Sequence, residues 1–199
     1  MVNKLSSKNE CPIDVLLLGI IDNHLDLYHK YHITPNIVTT FSIISGILSA
    51  YNIYLHNFKL AALFFAIAYY FDCVDGKIAR KFNQVTVFGD YYDHFGDIFK
   101  LAIVLYALYI TNSIAFHKIK YFILFLFIAM LIHFGCQEKL DEYKQYQKSQ
   151  YLNIFTYLIP NNLDPNKCIQ YTKYFGCGTF MVFMIVIIAM YYVPKKKNK

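Results

Sequence analysis

Apolar residues recur along the chain in long stretches that short polar segments separate. Five of these stretches are close to the length that an α-helix needs to cross the hydrocarbon core of a bilayer. They cover residues 36–55, 60–80, 87–110, 119–134 and 174–193. The pattern predicts an all-α protein, a polytopic bundle of membrane-spanning helices.

Ahead of the first stretch, residues 12–31 mix apolar and polar side chains at helical spacing, with Pro12 suited to a first helical turn. We expect an amphipathic helix in the membrane interface; a soluble helical cap is the alternative. The apolar residues 15–21 lie between Asp14 and Asp22 and lack a small-residue cleavage site. This argues against a signal peptide.

The basic residues predict the topology. Lys77, Arg80 and Lys81 lie at the end of the second stretch, and residues 195–199 contain four lysines, so both segments are expected in the cytoplasm. Both chain ends on one side require an even number of crossings, and we therefore infer a sixth, weak or tilted span within 144–163. The prediction is one membrane domain over 1–199, with a cytoplasmic or interfacial segment at 1–33, the bundle at 34–193 and a basic cytoplasmic tail at 194–199.

Composition agrees with this interpretation. The chain has 199 residues, 57% of them apolar, and a net charge of +6, which allows one domain. The lysines lie mostly between and after the apolar stretches, where they set topology or contact lipid headgroups, and no nucleic-acid module is visible. The five cysteines are odd in number and scattered, so neither a disulfide framework nor a zinc site is expected.

Acidic residues concentrate where the second and third stretches meet. The segment from Asp72 to Asp97 fits D-x2-D-G-x2-A-R-x8-G-x3-D-x3-D and holds five of the ten aspartates. Arg80 within it is the only arginine, against eighteen lysines. Carboxylates at the edge of apolar helices are costly unless they bind metal or take part in chemistry. This segment is therefore the candidate functional site.

The spacing of the aspartates indicates one cluster. Asp72 and Asp75 are three residues apart, and Asp93 and Asp97 are four apart, so each pair shares a helix face. A short connection between the helices can bring the four carboxylates together at the membrane surface. Such an oxygen ligand set suits Mg²⁺ or Mn²⁺, and two ions form a clamp for phosphoryl transfer. Asp90 is interpreted as a solvated acid near the helix N-terminus.

Small and basic residues complete the pattern. Gly76, Ala79 and Gly89 let helices, or a ligand, approach the backbone closely. Arg80 can bind a phosphate with two parallel hydrogen bonds, which a lysine cannot do. His94, which follows Asp93 directly, is either a proton carrier or an interfacial side chain.

The segment resembles the signature of the CDP-alcohol phosphatidyltransferase family (CDP-alcohol phosphotransferases), with every motif position present. Thr34 to Thr39, which open the first span, are similar to the family's Pro-Asn-x-x-Thr. The resemblance implies a six-helix membrane enzyme, usually a homodimer, with its active site at the cytoplasmic face. It also implies transfer of a substituted phosphate group from a CDP-alcohol to a second alcohol, with release of CMP, one of the two substrates being a lipid.

The resemblance also implies residue roles. By position, the metal ligands would be Asp72, Asp75, Asp93 and Asp97. Asp97 would alternatively be the base that takes the acceptor's proton, a role in which His94 is the second candidate. Gly76 and Ala79 would make room for cytidine, Gly89 would allow close approach, and Arg80 would hold phosphate.

The acceptor stays open. Lys77 and His94 make local strings similar to those of the choline and ethanolamine phosphotransferases, whereas the short chain is more like enzymes that combine CDP-diacylglycerol with inositol, serine or glycerol phosphate. Two other functions are weighed: a membrane prenyltransferase acting on a lipid diphosphate, and a scaffold that has lost activity. In a eukaryote the expected location is the endoplasmic reticulum.

Overall fold

The computed structural model describes residues 6–140, 152–160 and 162–191, and these residues form helices and connections without any strand. Their α-helices are α1 (Pro12–Asp22), α2 (Leu25–Lys30), α3 (Pro35–Tyr54), α4 (Phe58–Lys81), α5 (Val87–Thr111), α6 (Ser113–Glu138), α7 (Pro165–Thr172) and α8 (Cys177–Ala189). Two 3-10 helices cover Leu152–Leu158 and Lys173–Phe175. The all-α prediction is confirmed.

Four segments of the described chain are long and apolar enough to span a membrane. They are α3, α5, α6 and the continuous run Pro165–Ala189, which comprises α7, a 3-10 turn and α8. Helix α4 has 24 residues and packs beside α3, but its last turns carry the aspartates and basic residues of the motif, which lower its hydropathy. The chain is an integral membrane protein in which the charged end of one long helix belongs to the functional segment.

Small polar residues bring α3 and α4 together. The hydroxyl of Ser42 donates to the carbonyl of Ala68 at 2.8 Å, and that of Ser49 donates to the carbonyl of Ala61 at 2.9 Å. Both serines lie on the face of α3 that also carries Gly46. Short side chains that hydrogen-bond across helices allow close backbone approach in a membrane. This contact fixes α4 against α3 along most of its length.

The largest apolar core lies in the half of the bundle remote from the aspartates. Its members are fully or almost fully buried side chains of α3, α4, α5, α6 and α8, among them Ile53, Phe65, Leu108, Phe180 and Met184. We call the end formed by the last turns of α4 and the first turns of α5 the aspartate end. The other end, with the α3–α4 and α5–α6 connections, is the opposite end.

The helix predicted over 12–31 is present as two helices, and Pro12 occupies the first turn of α1 as expected. Ion pairs fasten both helices to α4: Lys77 to Asp22 at 2.6 Å, and Lys81 to Asp26 at 2.7 Å. A second apolar cluster, which includes Ile21 and Val74, fills the space between them. The location of α1 in the membrane interface stays a prediction.

The sixth span within 144–163 is not confirmed. Residues 141–151 lie outside the described residues, and the following 3-10 helix is seven residues long and packs against the end of α6. There the carbonyl of Phe155 leaves no room for a Cβ at Gly135. The residues on the two sides of segment 141–151 thus lie at the aspartate end. Helix α8 then crosses to the opposite end, where the Tyr191 hydroxyl donates to the carbonyl of Asn112 at 2.7 Å. The described helices make five passes through the bundle.

The expectation of no disulfide framework needs one correction. Cys136 on α6 and Cys168 on α7 form a disulfide with a Cα–Cα distance of 6.1 Å, across 32 residues of sequence. The pairing arises because α7 folds back against the end of α6, a tertiary contact that spacing alone does not predict. Cys11, Cys73 and Cys177 are free thiols.

Candidate metal and phosphate site

Local sequence explains why the motif forms two helix ends that face each other. Helix α4 ends where Asn83 adopts a left-handed conformation (φ 54°) and the N–H of Gln84 donates to the carbonyl of Ala79 at 2.8 Å, which is a Schellman-type cap. Helix α5 is capped by Thr86, whose side chain accepts from the N–H of Gly89 at 3.0 Å. These two caps make the short connection between α4 and α5, and both helices pack against α3.

Three of the four motif aspartates meet at this end. Asp72 from α4 and Asp93 and Asp97 from α5 each present a carboxylate oxygen, and these oxygens lie within 4.8 Å of one another. The three side chains are partly exposed. All-oxygen carboxylate sets of this kind are the ligands that Mg²⁺ and Mn²⁺ prefer. We call these three residues the carboxylate cluster.

Asp75 lies one turn further along α4. Among the described residues, it does not belong to the carboxylate cluster. Its side chain is buried, and its Oδ2 accepts a hydrogen bond of 2.6 Å from the Thr39 hydroxyl on α3. Thr39 is the last residue of the segment that resembles the family's N-terminal pattern. The structure therefore connects the two motifs directly. The Asp75 carboxylate is hydrogen-bonded to Thr39 and does not lie with the other three aspartates.

One oxygen of the carboxylate cluster bears on whether the site fits a cation. Oδ1 of Asp93 is buried and has no hydrogen-bond partner among the described residues. A buried, unpartnered carboxylate oxygen is costly unless a cation or another donor reaches it. The residues present therefore fit a divalent cation on chemical grounds.

His94 is oriented by its own helix. Its Nδ1 donates to the carbonyl of Asp90 at 2.8 Å and lies 4.0 Å from Oδ2 of Asp93. A donating Nδ1 leaves Nε2 of the neutral ring as a proton acceptor. The histidine thus lies beside the carboxylate cluster in a tautomer that could take a proton.

The glycines of the motif lie where a larger side chain would collide. A Cβ on Gly76 would lie 3.0 Å from Nη1 of Arg80, so the guanidinium folds over this glycine. A Cβ on Gly89 would lie 2.9 Å from the Thr86 hydroxyl and 3.2 Å from the side-chain oxygen of Asn36. Ala79 is half-buried on the helix that carries Arg80. The roles of Gly76, Ala79 and Gly89 toward a ligand stay a prediction.

Lys100 is a site residue that sequence reasoning missed. Its ammonium group lies 2.7 Å from Oδ1 of Asp72 and 2.8 Å from Oδ1 of Asp97, and it donates to the Ser42 hydroxyl at 2.6 Å. The signal was available: Lys100 follows Asp97 by three positions, on the same helix face, inside an otherwise apolar stretch.

Asp14 is a buried acid that lies outside the aspartate motif. Its carboxylate accepts from the Tyr69 hydroxyl and from the N–H of Gly178 at 3.0 Å, at the start of α8. Burial raises the pKa of the Asp14 carboxyl, and these two hydrogen bonds only partly oppose the rise. Asp14 therefore holds α1 between α4 and α8. Its partner on α4, Tyr69, lies about one turn before Asp72.

Comparison with known proteins agrees with the motif. The sequence profile of the CDP-alcohol phosphatidyltransferase family matches residues 32–194. A protein of Pyrococcus horikoshii named archaetidylinositol phosphate synthase is 33% identical over 76 residues, 38% of this chain and 40% of that protein. The CDP-diacylglycerol–serine O-phosphatidyltransferase of Bacillus subtilis is 34% identical over 64 residues, 32% of this chain and 36% of the relative.

A third relative, an uncharacterised protein of Aquifex aeolicus, is 29% identical over 116 residues, 58% of each chain. The matched regions thus span less than two thirds of each of these relatives. No solved structure matches the chain. Because the family profile covers most of the sequence, including the whole carboxylate cluster, the chain belongs to the CDP-alcohol phosphatidyltransferase family.

Proposed function

We propose that this protein is a phospholipid-synthesis enzyme that transfers a substituted phosphate group from a CDP-alcohol to an acceptor alcohol and releases CMP. The observation that carries the proposal is the carboxylate cluster at one end of a membrane bundle, with Oδ1 of Asp93 buried and without a hydrogen-bond partner in the part of the chain that the structure describes. A charged diphosphate and a lipid meet most readily at such a place, since one substrate is water-soluble and the other lies in the bilayer.

Asp72, Asp93 and Asp97 would hold Mg²⁺ or Mn²⁺, and Asp75, oriented by its hydrogen bond from Thr39, would be the fourth carboxylate. Four carboxylates are enough for two ions, which is the number we propose. The bound ions would neutralise the diphosphate and stabilise the charge that develops on the leaving CMP. The matching family supports this ligand chemistry.

Arg80 would bind the diphosphate of the donor. Its guanidinium already lies over Gly76, the residue after Asp75 on the same helix, and its planar donors suit phosphate oxygens. Gly76, Ala79 and Gly89 would leave space for the cytidine. A larger side chain at any of these positions would fill that space or displace Arg80.

The acceptor hydroxyl needs a base. Asp97 and His94 are the two candidates on α5: Asp97 belongs to the carboxylate cluster, and His94 lies beside it. The base would take the proton as the acceptor oxygen attacks phosphorus in line with the leaving CMP. We propose Asp97 for this step when it is not a ligand, and His94 as the group that accepts the proton from the site.

The cellular context is proposed from the family. We propose a homodimer, with the aspartate end facing the cytoplasm, in the endoplasmic reticulum if the source is eukaryotic. Cross-linking in native membranes tests the first statement, and accessibility of a cysteine introduced at Asn83 to an impermeant reagent tests the second.

The decisive experiment is an assay of CMP release by the purified protein in lipid nanodiscs. CDP-diacylglycerol and CDP-ethanolamine are each offered with inositol, inositol phosphate, serine, glycerol phosphate and diacylglycerol, with and without Mg²⁺ or Mn²⁺. We expect metal-dependent CMP release with one donor and one acceptor. Absence of CMP with every pair would refute the proposal, and turnover of a prenyl diphosphate in parallel reactions would identify a prenyltransferase.

A further inference from the structure

Lys100 presents its ammonium group to the carboxylate cluster. Its side chain is 6% exposed, and the ammonium group contacts Asp72 on α4 and Asp97 on α5 at 2.7 and 2.8 Å. The third contact, 2.6 Å to the Ser42 hydroxyl, comes from α3. One ammonium group therefore joins the three helices that build the site.

The fold makes space for this lysine. A Cβ on Gly46 would lie 2.6 Å from Cγ of Lys100, so the aliphatic stem fills a groove on α3 that only glycine leaves open. Lys100 also lies on the same face of α5 as Asp93 and Asp97, seven and three positions later. The direction of the side chain is thus set by both its own helix and its neighbour.

From these contacts we propose that Lys100 is a positioning residue, a built-in counter-cation that holds Asp72 and Asp97 in ligand geometry before a divalent cation binds. Two carboxylates at this separation in a low-dielectric site repel strongly unless a cation lies between them. The ammonium group supplies that cation permanently. The proposal rests on the proposed function only in assigning the carboxylate cluster to a divalent cation.

The same charge has a cost for metal binding. A divalent ion that enters the cluster is repelled by the ammonium group, so Lys100 weakens cation affinity while it preserves the arrangement. Removal of the charge should therefore have two opposite effects. The metal-free protein becomes less stable, and the cation binds more tightly and restores more stability than it does in the wild type.

The test compares Lys100→Met, Lys100→Arg and the wild type in detergent, with Mn²⁺ as the probe. Free Mn²⁺ is measured by electron paramagnetic resonance, and the melting temperature is measured with Mn²⁺ and with a chelator. We expect Mn²⁺ affinity to rise about tenfold or more in Lys100→Met, and its Mn²⁺-induced melting shift to exceed that of the wild type. Lys100→Arg should stay close to the wild type.

Lys118→Met is the matched control, because Lys118 is an exposed lysine in the first turns of α6, at the opposite end. It should change neither Mn²⁺ affinity nor the melting shift. If Lys100→Met does not fold, Lys100→Gln, which keeps a hydrogen-bond donor, is purified with Mn²⁺ and then chelated.

Equal Mn²⁺ affinity and equal melting shifts in the neutral variant and the wild type overturn this inference. If the wild type itself binds no Mn²⁺, the proposed metal site fails instead, so the two failures are distinguishable.

Discussion

The hydroxyl of Thr39 donates a hydrogen bond of 2.6 Å to Oδ2 of Asp75, and the two residues are 36 positions apart in the sequence. The contact crosses from the first turns of α3 to the last third of α4. It ties the N-terminal Pro-Asn-x-x-Thr segment to the aspartate motif. Thr39 also donates to the carbonyl of Pro35 at 3.1 Å, so its rotamer is fixed by its own helix.

Thr39 should therefore control the orientation of Asp75. We expect Thr39→Val to lower CMP release by roughly 10–100-fold, the usual effect of removing a partner that orients a metal ligand. Thr39→Ser keeps the hydroxyl and should retain most activity. Equal activity of the two variants would show that the hydrogen bond has no role in turnover.

The carboxylates should be needed for turnover and not for insertion. We expect Asp93→Asn or Asp75→Asn to abolish CMP release at saturating Mg²⁺ and Mn²⁺, while yield and elution volume in detergent stay unchanged. Asp90→Asn is the matched control, because Asp90 precedes Asp93 on the same helix, is more exposed and lies outside the carboxylate cluster. Measurable turnover in the purified Asp93 variant would contradict the metal assignment.

Arg80 is expected to bind phosphate through its planar donors. Arg80→Lys keeps the charge but loses the two parallel hydrogen bonds, so the affinity for the CDP-alcohol should fall by about tenfold or more. Binding of the donor is measured by isothermal titration in nanodiscs. Lys81→Arg, a change of a neighbouring basic residue that pairs with Asp26, should leave the affinity near that of the wild type. An unchanged affinity in Arg80→Lys would restrict Arg80 to a role in topology.

Asp14 should make stability depend on pH. Burial raises its pKa above the ordinary value, so the folded protein binds more protons at this site than the unfolded chain does. Its stabilising effect is then complete at acidic pH and is lost as pH rises through the raised pKa. We expect the melting temperature of the wild type, relative to Asp14→Asn, to fall as pH rises above about 4, the ordinary pKa of an aspartate. A constant difference would contradict the assignment.

The five passes predict the location of the two chain ends. Tyr191 lies beside Asn112 at the opposite end of the bundle, so a tag placed after Lys199 should lie across the membrane from a tag placed before Met1. Selective permeabilisation with antibody labelling distinguishes the two sides. Labels on the same side would instead support the six-span topology that the basic residues predict.

The sequence predicts the helices and the carboxylate cluster well, because both depend on local spacing. Three- and four-residue intervals place Asp72, Asp93 and Asp97 on facing helix sides, and the caps at Asn83 and Thr86 are short-range features. The long apolar stretches likewise define α3 and α5 to within one residue at each end.

Contacts that depend on tertiary packing were not predictable in this way. Lys100 contacts the carboxylate cluster only because Gly46 on a different helix admits its stem, and Lys77, one of the basic residues that predict topology, is buried against Asp22. The Cys136–Cys168 disulfide needs the return of α7 to α6. Local spacing places Lys100 on the face of Asp97, but the buried Lys77 and the disulfide have no such local signal.

Three side-chain contacts join the N-terminal helices to α4, and in each the two partners are 55 positions apart. They link Asp14 to Tyr69, Asp22 to Lys77 and Asp26 to Lys81. A constant offset requires two segments that run side by side in the same direction with the same rise per residue. Residues 23–24, which separate α1 from α2, thus interrupt the helix without shifting the register of the segment against α4. The N-terminal segment therefore runs parallel to the second half of α4, and one residue inserted at the interruption would break the last pair alone.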